Sequence, residues 1–305
     1  MVGLVARPNE DRVTLGIGLM LVAYALFSCV DVSAKWLVLA GQASLQVAFM
    51  RYAGHLVVSV GLIGRGGLTM DRFATERVGL VLLRALFLML STIGNFVAVR
   101  YLPLTLTAII SFSAPIMICA LSMPLLGERV GPWRWAAILV GFAGLLIAVR
   151  PFNATVHWAV LFSLGSAFSM AMYTLLTRKL SGSVSPTTMQ FYGGLFGTVA
   201  LLPFAIATWV PPDGLLAWAL LIGLGFVAWL GHEIFSRAHA FATAGSLTPF
   251  SYSFILYMTA WSAGVFGQYP DGMTILGAAI VTAAGLVIWA RERRIGRSRR
   301  LAPQP

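Results

Sequence analysis

The sequence predicts an all-α membrane protein with ten transmembrane helices in two inverted five-helix repeats. Three observations carry this expectation. The 305 residues are 59% hydrophobic and only 10% charged, with a mean hydropathy of +0.86, whereas soluble domains carry about 25% charge. The apolar residues gather into ten runs separated by polar breaks, each read as a helix that crosses a hydrocarbon core of roughly 30 Å. Short patterns from the first half of the chain recur in the same order in the second. A membrane β-barrel would instead alternate apolar and polar residues in short segments.

In chain order, the expected spans cover 13–38, 43–63, 78–99, 103–126 and 132–149, then 156–177, 187–209, 215–236, 243–266 and 273–290. The first five make one repeat (13–149), the next five a second (156–290), and 291–305 is a basic tail. The first span is too long for a signal-peptide core and no small-residue cleavage site follows it, so it is expected to be retained. The second is separated from the third by the basic loop near Arg65–Arg77. The fourth carries Ser111, Ser113 and Pro115. A mid-helix proline leaves a carbonyl that only protein or water can satisfy, which argues for a cavity-facing helix.

The segment Gly127-Glu128-Arg129-Val130-Gly131-Pro132 forms the hinge to the fifth span, whose Gly141 and Gly144 let another helix approach closely. Glu128 there is expected to cap a helix or pair with arginines. The second half repeats the first: Phe27-Ser28 as Phe168-Ser169, Tyr52-Ala53-Gly54 as Tyr192-Gly193-Gly194, Arg100 as Arg237, Gly127-Glu128 as Gly267-Gln268. Because each half holds an odd number of spans, the second enters the membrane upside down. Inverted repeats characterise secondary transporters, which bind substrate near the midplane where the halves meet.

The formal charge of +11 does not point to nucleic acid, because the basic residues sit at loop ends and in the tail Arg291–Arg300. With the N-terminus inside, the inner segments hold sixteen Lys/Arg and the outer ones only Arg100 and Arg150, so both termini are expected to be cytoplasmic. Cys29 and Cys119 lie within apolar runs and read as buried thiols rather than a disulfide framework.

Charges inside spans are costly and are functional candidates by default. Here they are Asp31, Lys35, Arg51, Arg84 and Glu233. Asp31 and Lys35 are spaced to share a helix face and pair, and Arg51 and His55 have the same spacing. A structural ion pair of Asp31 with Lys35 or Arg51 competes with a substrate or proton site. Arg84 reads as a snorkelling side chain, and Glu233 with Arg237 as an interfacial i,i+4 pair. Asn95 and His232 occupy matching places in the two halves. Trp36, Trp133, Trp158 and Trp209 fit interfacial belts. Tyr173, Tyr192, Tyr252 and Tyr257 lie deeper, where each ring offers a stacking face and each hydroxyl needs a partner. No metal constellation, Walker motif or converging set of catalytic groups is present in the sequence.

The ordered series Ala108, Ser111, Pro115, Leu126-Gly127-Glu128-Arg129, Gly141-Phe142-Ala143-Gly144 and Arg150-Pro151 resembles the EamA domain of the drug/metabolite transporter superfamily. A second set of stretches, Leu45–Tyr52, Arg100–Leu104, Ser246–Ser253 and Phe266–Asp271, is similar to a narrower branch. That branch includes riboflavin importers of the RibN type and S-adenosylmethionine uptake transporters.

The resemblance implies a multi-pass inner-membrane carrier that needs no cofactor and works by alternating access. Its expected partners are the lipid bilayer and a small aromatic metabolite, riboflavin first, with no nucleic acid. S-adenosylmethionine uptake, amino-acid or metabolite export, and a non-transporting receptor or scaffold are the alternatives. The expected substrate-binding residues are Asp31, Lys35, Arg51, His55, Asn95, Ser111, Ser113, Tyr173, Tyr192, His232, Tyr252 and Tyr257. Direction, coupling and oligomeric state are open.

Overall fold

The structure, a computed structural model, describes residues 10–65, 75–126, 132–150, 157–180, 183–241 and 247–301. The described residues are helical and contain no strand. In order they form α1 (Glu10–Leu39), α2 (Ser44–Arg65), α3 (Val78–Tyr101), α4 (Leu104–Ser111), α5 (Ser113–Leu126) and α6 (Pro132–Val149). There follow α7 (Ala159–Leu180), α8 (Pro186–Ala207), α9 (Gly214–Phe241), a 3-10 turn (Thr248–Tyr252), α10 (Ser253–Phe266) and α11 (Gly272–Leu301). The hinge residues 127–131, with Glu128, lie outside the described residues, as does much of the loop near Arg65–Arg77.

Five stretches among the described residues are long and apolar enough to cross a membrane: Val13–Leu39, Val78–Tyr101, Ala159–Thr177, Thr188–Ala207 and Gly214–Phe235. Leu104–Ile118, Leu139–Val149 and Gly272–Val287 are apolar but shorter. The 22-residue α2 is less apolar because it spends positions on Gln46, Arg51, Tyr52, His55 and Ser59. Four of these are buried and Arg51 is half-buried, so α2 turns its polar side into the protein rather than toward lipid.

The expected fourth span is two helices, α4 and α5, interrupted at Phe112 (φ −73°, ψ 0°). The cause is Pro115, whose missing N–H would have bonded the Ser111 carbonyl. The expected ninth span is likewise irregular at its start, where Pro249 sits in the 3-10 turn before α10. The two interruptions face each other, with the Phe112 and Tyr252 rings stacked at 4.8 Å and 22°.

Helix packing is reciprocal between the halves. Antiparallel α1 and α9 meet through Phe27 against Gly231 and Tyr24 against Phe235. Antiparallel α3 and α7 meet through Gly94 against Ser166 and Arg84 against Thr177. In the same way α2 packs on α9 and α3 on α8, while α2 meets α8 and α6 meets α11. Each contact thus has a counterpart with the halves exchanged.

Two approaches require glycine. A Cβ on Gly54 of α2 would lie 2.9 Å from the Gly225 Cα of α9, and one on Gly144 of α6 would lie 2.8 Å from Ile280 of α11. The packing role expected of Gly141 and Gly144 is therefore met: Gly141 lies against Ile116 and Ala284. The largest buried apolar cluster fills the space among α1, α2, α3 and α9, with Leu37, Val47, Phe96 and Leu221 at its centre.

Candidate functional site

A small cavity of about 10 Å³, room for about one water, lies where α2 and α3 of the first half meet α8 and α9 of the second. From the first half it is lined by Arg51, Tyr52, His55 and Leu88. From the second come Gln190, Gly193, Gly194 and His232. It sits near the middle of α2, where Arg51 and His55 are one turn apart, and two turns into α8, where the glycine pair lies.

Arg51 is fixed by a short relay. Thr92 Oγ1 donates to the Leu88 carbonyl at 3.0 Å and so accepts from Arg51 Nη1 and from the Tyr52 hydroxyl, each at 2.9 Å. The guanidinium also lies 5.1 Å from the Tyr52 ring centroid, a cation–π distance. The relay explains how the polar face of α2 is anchored to α3. The His55 and His232 rings stand 6.2 Å apart at 74°, and the far face of His232 packs on Phe27 at 4.9 Å. Every charged side chain in the lining is cationic, and no carboxylate takes part in it.

Arg84 departs from its expected place. Instead of snorkelling to the interface it is 3% exposed. It donates to Thr177 Oγ1 at 2.7 Å, the Met189 carbonyl at 3.0 Å and the Tyr173 hydroxyl at 2.7 Å, with its guanidinium 4.4 Å from the Tyr173 ring centroid. Thr177 and Tyr173 from α7 and Met189 from α8 lie along the neighbouring helices of α3, so a buried cation found three acceptors and stayed inside. The charge is held by neutral groups.

The expected pairing of Asp31 with Lys35 or Arg51 also gives way to other partners. Asp31 Oδ1 accepts from Asn95 Nδ2 at 2.9 Å. Lys35, fully buried, donates to the Leu102 carbonyl at 2.8 Å and to Gln268 Oε1 at 2.7 Å, beneath the Phe266 ring. No ion pair joins these three residues among the described contacts. Near the same ends of the helices, Gln46 bonds the backbone N–H and carbonyl of Val210, and Arg150 pairs with Asp271.

Of the remaining expected residues, Ser111 and Ser113 bond the carbonyls of Thr107 and Ile110 in their own turns. Tyr173 serves Arg84, and Tyr252 stacks on Phe112. Tyr192 is half-buried beside Phe191 and packs near Val81 and Met189, and Tyr257 is half-buried on α10. The cavity therefore unites Arg51, His55 and His232 from the expected set and leaves the others around it. Tyr52, Thr92 and Gln190 were not among the expected residues. The repeated Tyr-Ala-Gly and Tyr-Gly-Gly patterns pointed to the right stretches of α2 and α8, whereas nothing in the sequence marks Gln190.

On the surface, Glu233 and Arg237 form the expected i,i+4 pair at 2.8 Å, an exposed contact of little energetic weight. Trp133, Trp158 and Trp209 are exposed, as belt residues would be. The Cys29 thiol is free.

The model of the EamA-like transporter family matches residues 14–150 and again 157–290. The riboflavin transporter of Vibrio cholerae is 31% identical to this chain, over 92% of this chain and 95% of its own length. The S-adenosylmethionine uptake transporter of Rickettsia felis is 28% identical, over 92% and 94%. The pseudopaline exporter of Pseudomonas aeruginosa is 25% identical, over 80% and 85%. A crystal structure 15% identical in sequence superposes with a TM-score of 0.64, covering 94% of this chain and 99% of that one, which shows a shared fold. With its apolar helices and two matched segments, this multi-pass membrane protein belongs to the EamA-like transporter family.

Proposed function

We propose that this transporter imports a small planar aromatic metabolite, riboflavin first, across the inner membrane by alternating access. The observation that carries the reading is the cavity itself, built half from each repeat, cationic and polar, and free of carboxylates in its lining. Its volume of about 10 Å³ is far below the roughly 300–1,000 Å³ of ligand pockets. Substrate entry therefore needs the helices to part, as a carrier's do. On this reading the ten helical units are ten spans in two inverted repeats, 13–149 and 156–290, with the tail 291–305 and both termini in the cytoplasm. The relatives named for riboflavin support the flavin.

The test is rescue of a riboflavin-requiring strain on low external riboflavin, with labelled riboflavin taken up by proteoliposomes and recovered unchanged. Relatives named for S-adenosylmethionine favour that substrate as well. Rescue of a strain lacking its synthesis, with no response to riboflavin, would replace the flavin reading. Binding without flux would make the protein a receptor.

A further inference from the structure

We propose that Arg51 makes this cavity selective for planar aromatic compounds carrying an oxygen-acceptor edge, either a carboxylate or a ring imide, and that it rejects aromatic cations. The inference rests on the reading of the cavity as the substrate site, but it concerns ligand chemistry rather than riboflavin in particular.

Three observations carry it. Arg51 lines the cavity, half-buried, with Nη1 held by Thr92 and its face set against Tyr52. A guanidinium is a planar fork of donors that matches a carboxylate bidentately and donates singly to an imide carbonyl, and it cannot lose its charge. The anchoring relay through Thr92 to the Leu88 carbonyl fixes the fork before any ligand arrives. Second, His55 and Gln190 share the lining, and each carries an N–H group able to serve an acceptor. Third, no carboxylate stands in the cavity wall, the Asp31 carboxylate acting on Arg51 only from α1 outside it. Arg84, deeper along α3, spends its donors on Thr177, Met189 and Tyr173, while Asp31 is engaged by Asn95 away from the lining. An acceptor edge entering here meets the Arg51 guanidinium with no acid in the cavity wall, and a cation meets the same field with the opposite sign. Of the glycine pair, Gly194 packs on the Leu56 backbone, while Gly193 has only Leu88 near it, at 3.9 Å from where a Cβ would stand, and adds no side chain to the lining.

The test is ligand-induced thermal stabilisation of the purified full chain in detergent with three probes: riboflavin for the imide, 2-naphthoate for the carboxylate, and an aromatic sulfonium for the cation. Riboflavin and naphthoate are expected to stabilise the protein and to compete with each other. The sulfonium is expected to give no shift at the same concentration. Arg51→Gln should weaken both acceptor ligands at least tenfold and Arg51→Lys by less, since it keeps the charge but loses the fork. Equal or stronger stabilisation by the sulfonium would overturn the proposal, and so would unchanged affinity in a folded Arg51→Gln protein, or no response to either acceptor probe. Should Arg51→Gln not fold, the wild-type comparison of probes decides together with Thr92→Val, which releases the guanidinium and should weaken both acceptor ligands. Arg51-dependent naphthoate binding without riboflavin binding would sustain this inference while removing riboflavin as the substrate.

Discussion

Lys35 Nζ and Gln268 Oε1 meet at 2.7 Å, so a buried ammonium from α1 is closed off by a neutral amide just past α10, on the opposite half of the chain. The Leu102 carbonyl accepts a second hydrogen bond from the ammonium at 2.8 Å. At the matching place in the first half the chain carries Glu128, so the two repeats differ in charge where one binds a lysine. Because Lys35 is buried, its remaining solvation comes from these acceptors and the Phe266 ring.

Gln268→Leu should therefore destabilise the protein by about 1–3 kcal/mol, the cost of leaving a buried donor without its acceptor, whereas Gln268→Glu keeps an acceptor in place. Thermal unfolding of both variants in detergent checks this. Equal melting temperatures for Gln268→Leu and wild type would mean that water replaces the amide.

Asp31 and Asn95 tie α1 to α3 through one bond at 2.9 Å. A double-mutant cycle with Asp31→Asn and Asn95→Leu should give a coupling energy of at least about 0.5 kcal/mol, as contacting residues do. Additive effects would show that the bond contributes nothing beyond its two side chains.

The crossing of α2 and α9 admits no side chain at Gly225, where a Cβ would meet the Gly54 backbone. Gly225→Ala should cost about 1–3 kcal/mol through overpacking. Gly223→Ala, on the same helix but with nothing within 4 Å of its Cβ, should be neutral or slightly stabilising. Yield of monodisperse protein and melting temperature of the pair separate close packing from helix propensity.

Asp271, exposed at the start of α11, accepts from the Thr274 backbone N–H and pairs with Arg150, and these contacts hold its carboxyl down at about 2. A carboxylate held below its ordinary value of about 3.9 stabilises the fold fully above that value. The contribution is lost as pH falls through about 4 toward 2. Asp271→Ala should cost about 1 kcal/mol at neutral pH as a lost helix cap. The difference in melting temperature from wild type should stay constant between pH 5 and 8 and shrink on acidification. A difference that grew on acidification would contradict this sign.

For orientation, a fluorescent reporter fused after Ala290 should be bright and a phosphatase fusion at the same place silent if that end lies in the cytoplasm, as the Lys/Arg asymmetry predicts. Phosphatase activity there would reverse the topology.

Local chemistry explains which features were legible in the sequence. Pro115 announced a carbonyl without its helical partner, and Gly141 and Gly144 announced a close neighbour, because backbone geometry and side-chain volume act at the residue itself. Spacing was a poor guide to charge partners. Asp31 and Lys35 share a helix face by count, yet one bonds Asn95 and the other Gln268, 233 positions away. Arg84 was misplaced for the same reason: all three of its acceptors come from the second half, and a one-dimensional reading offered it only the lipid interface. The cavity drew Arg51, His55 and His232 together by tertiary packing, and Gln190 carries no local signature.

The reciprocal packing has a consequence for synthesis. The main neighbours of α1, α2, α3 and α6 are α9, α8, α7 and α11, so the first half of the chain enters the membrane before its partners exist. At about 5–20 residues per second, α1 waits on the order of ten seconds for α9. Throughout that interval the polar side of α2, with Arg51 and His55, has neither its glycine wall nor its opposing histidine. The early spans must be sheltered by the insertion machinery or by one another, and a pause or truncation near residue 150 would strand a half-protein whose polar face looks into lipid.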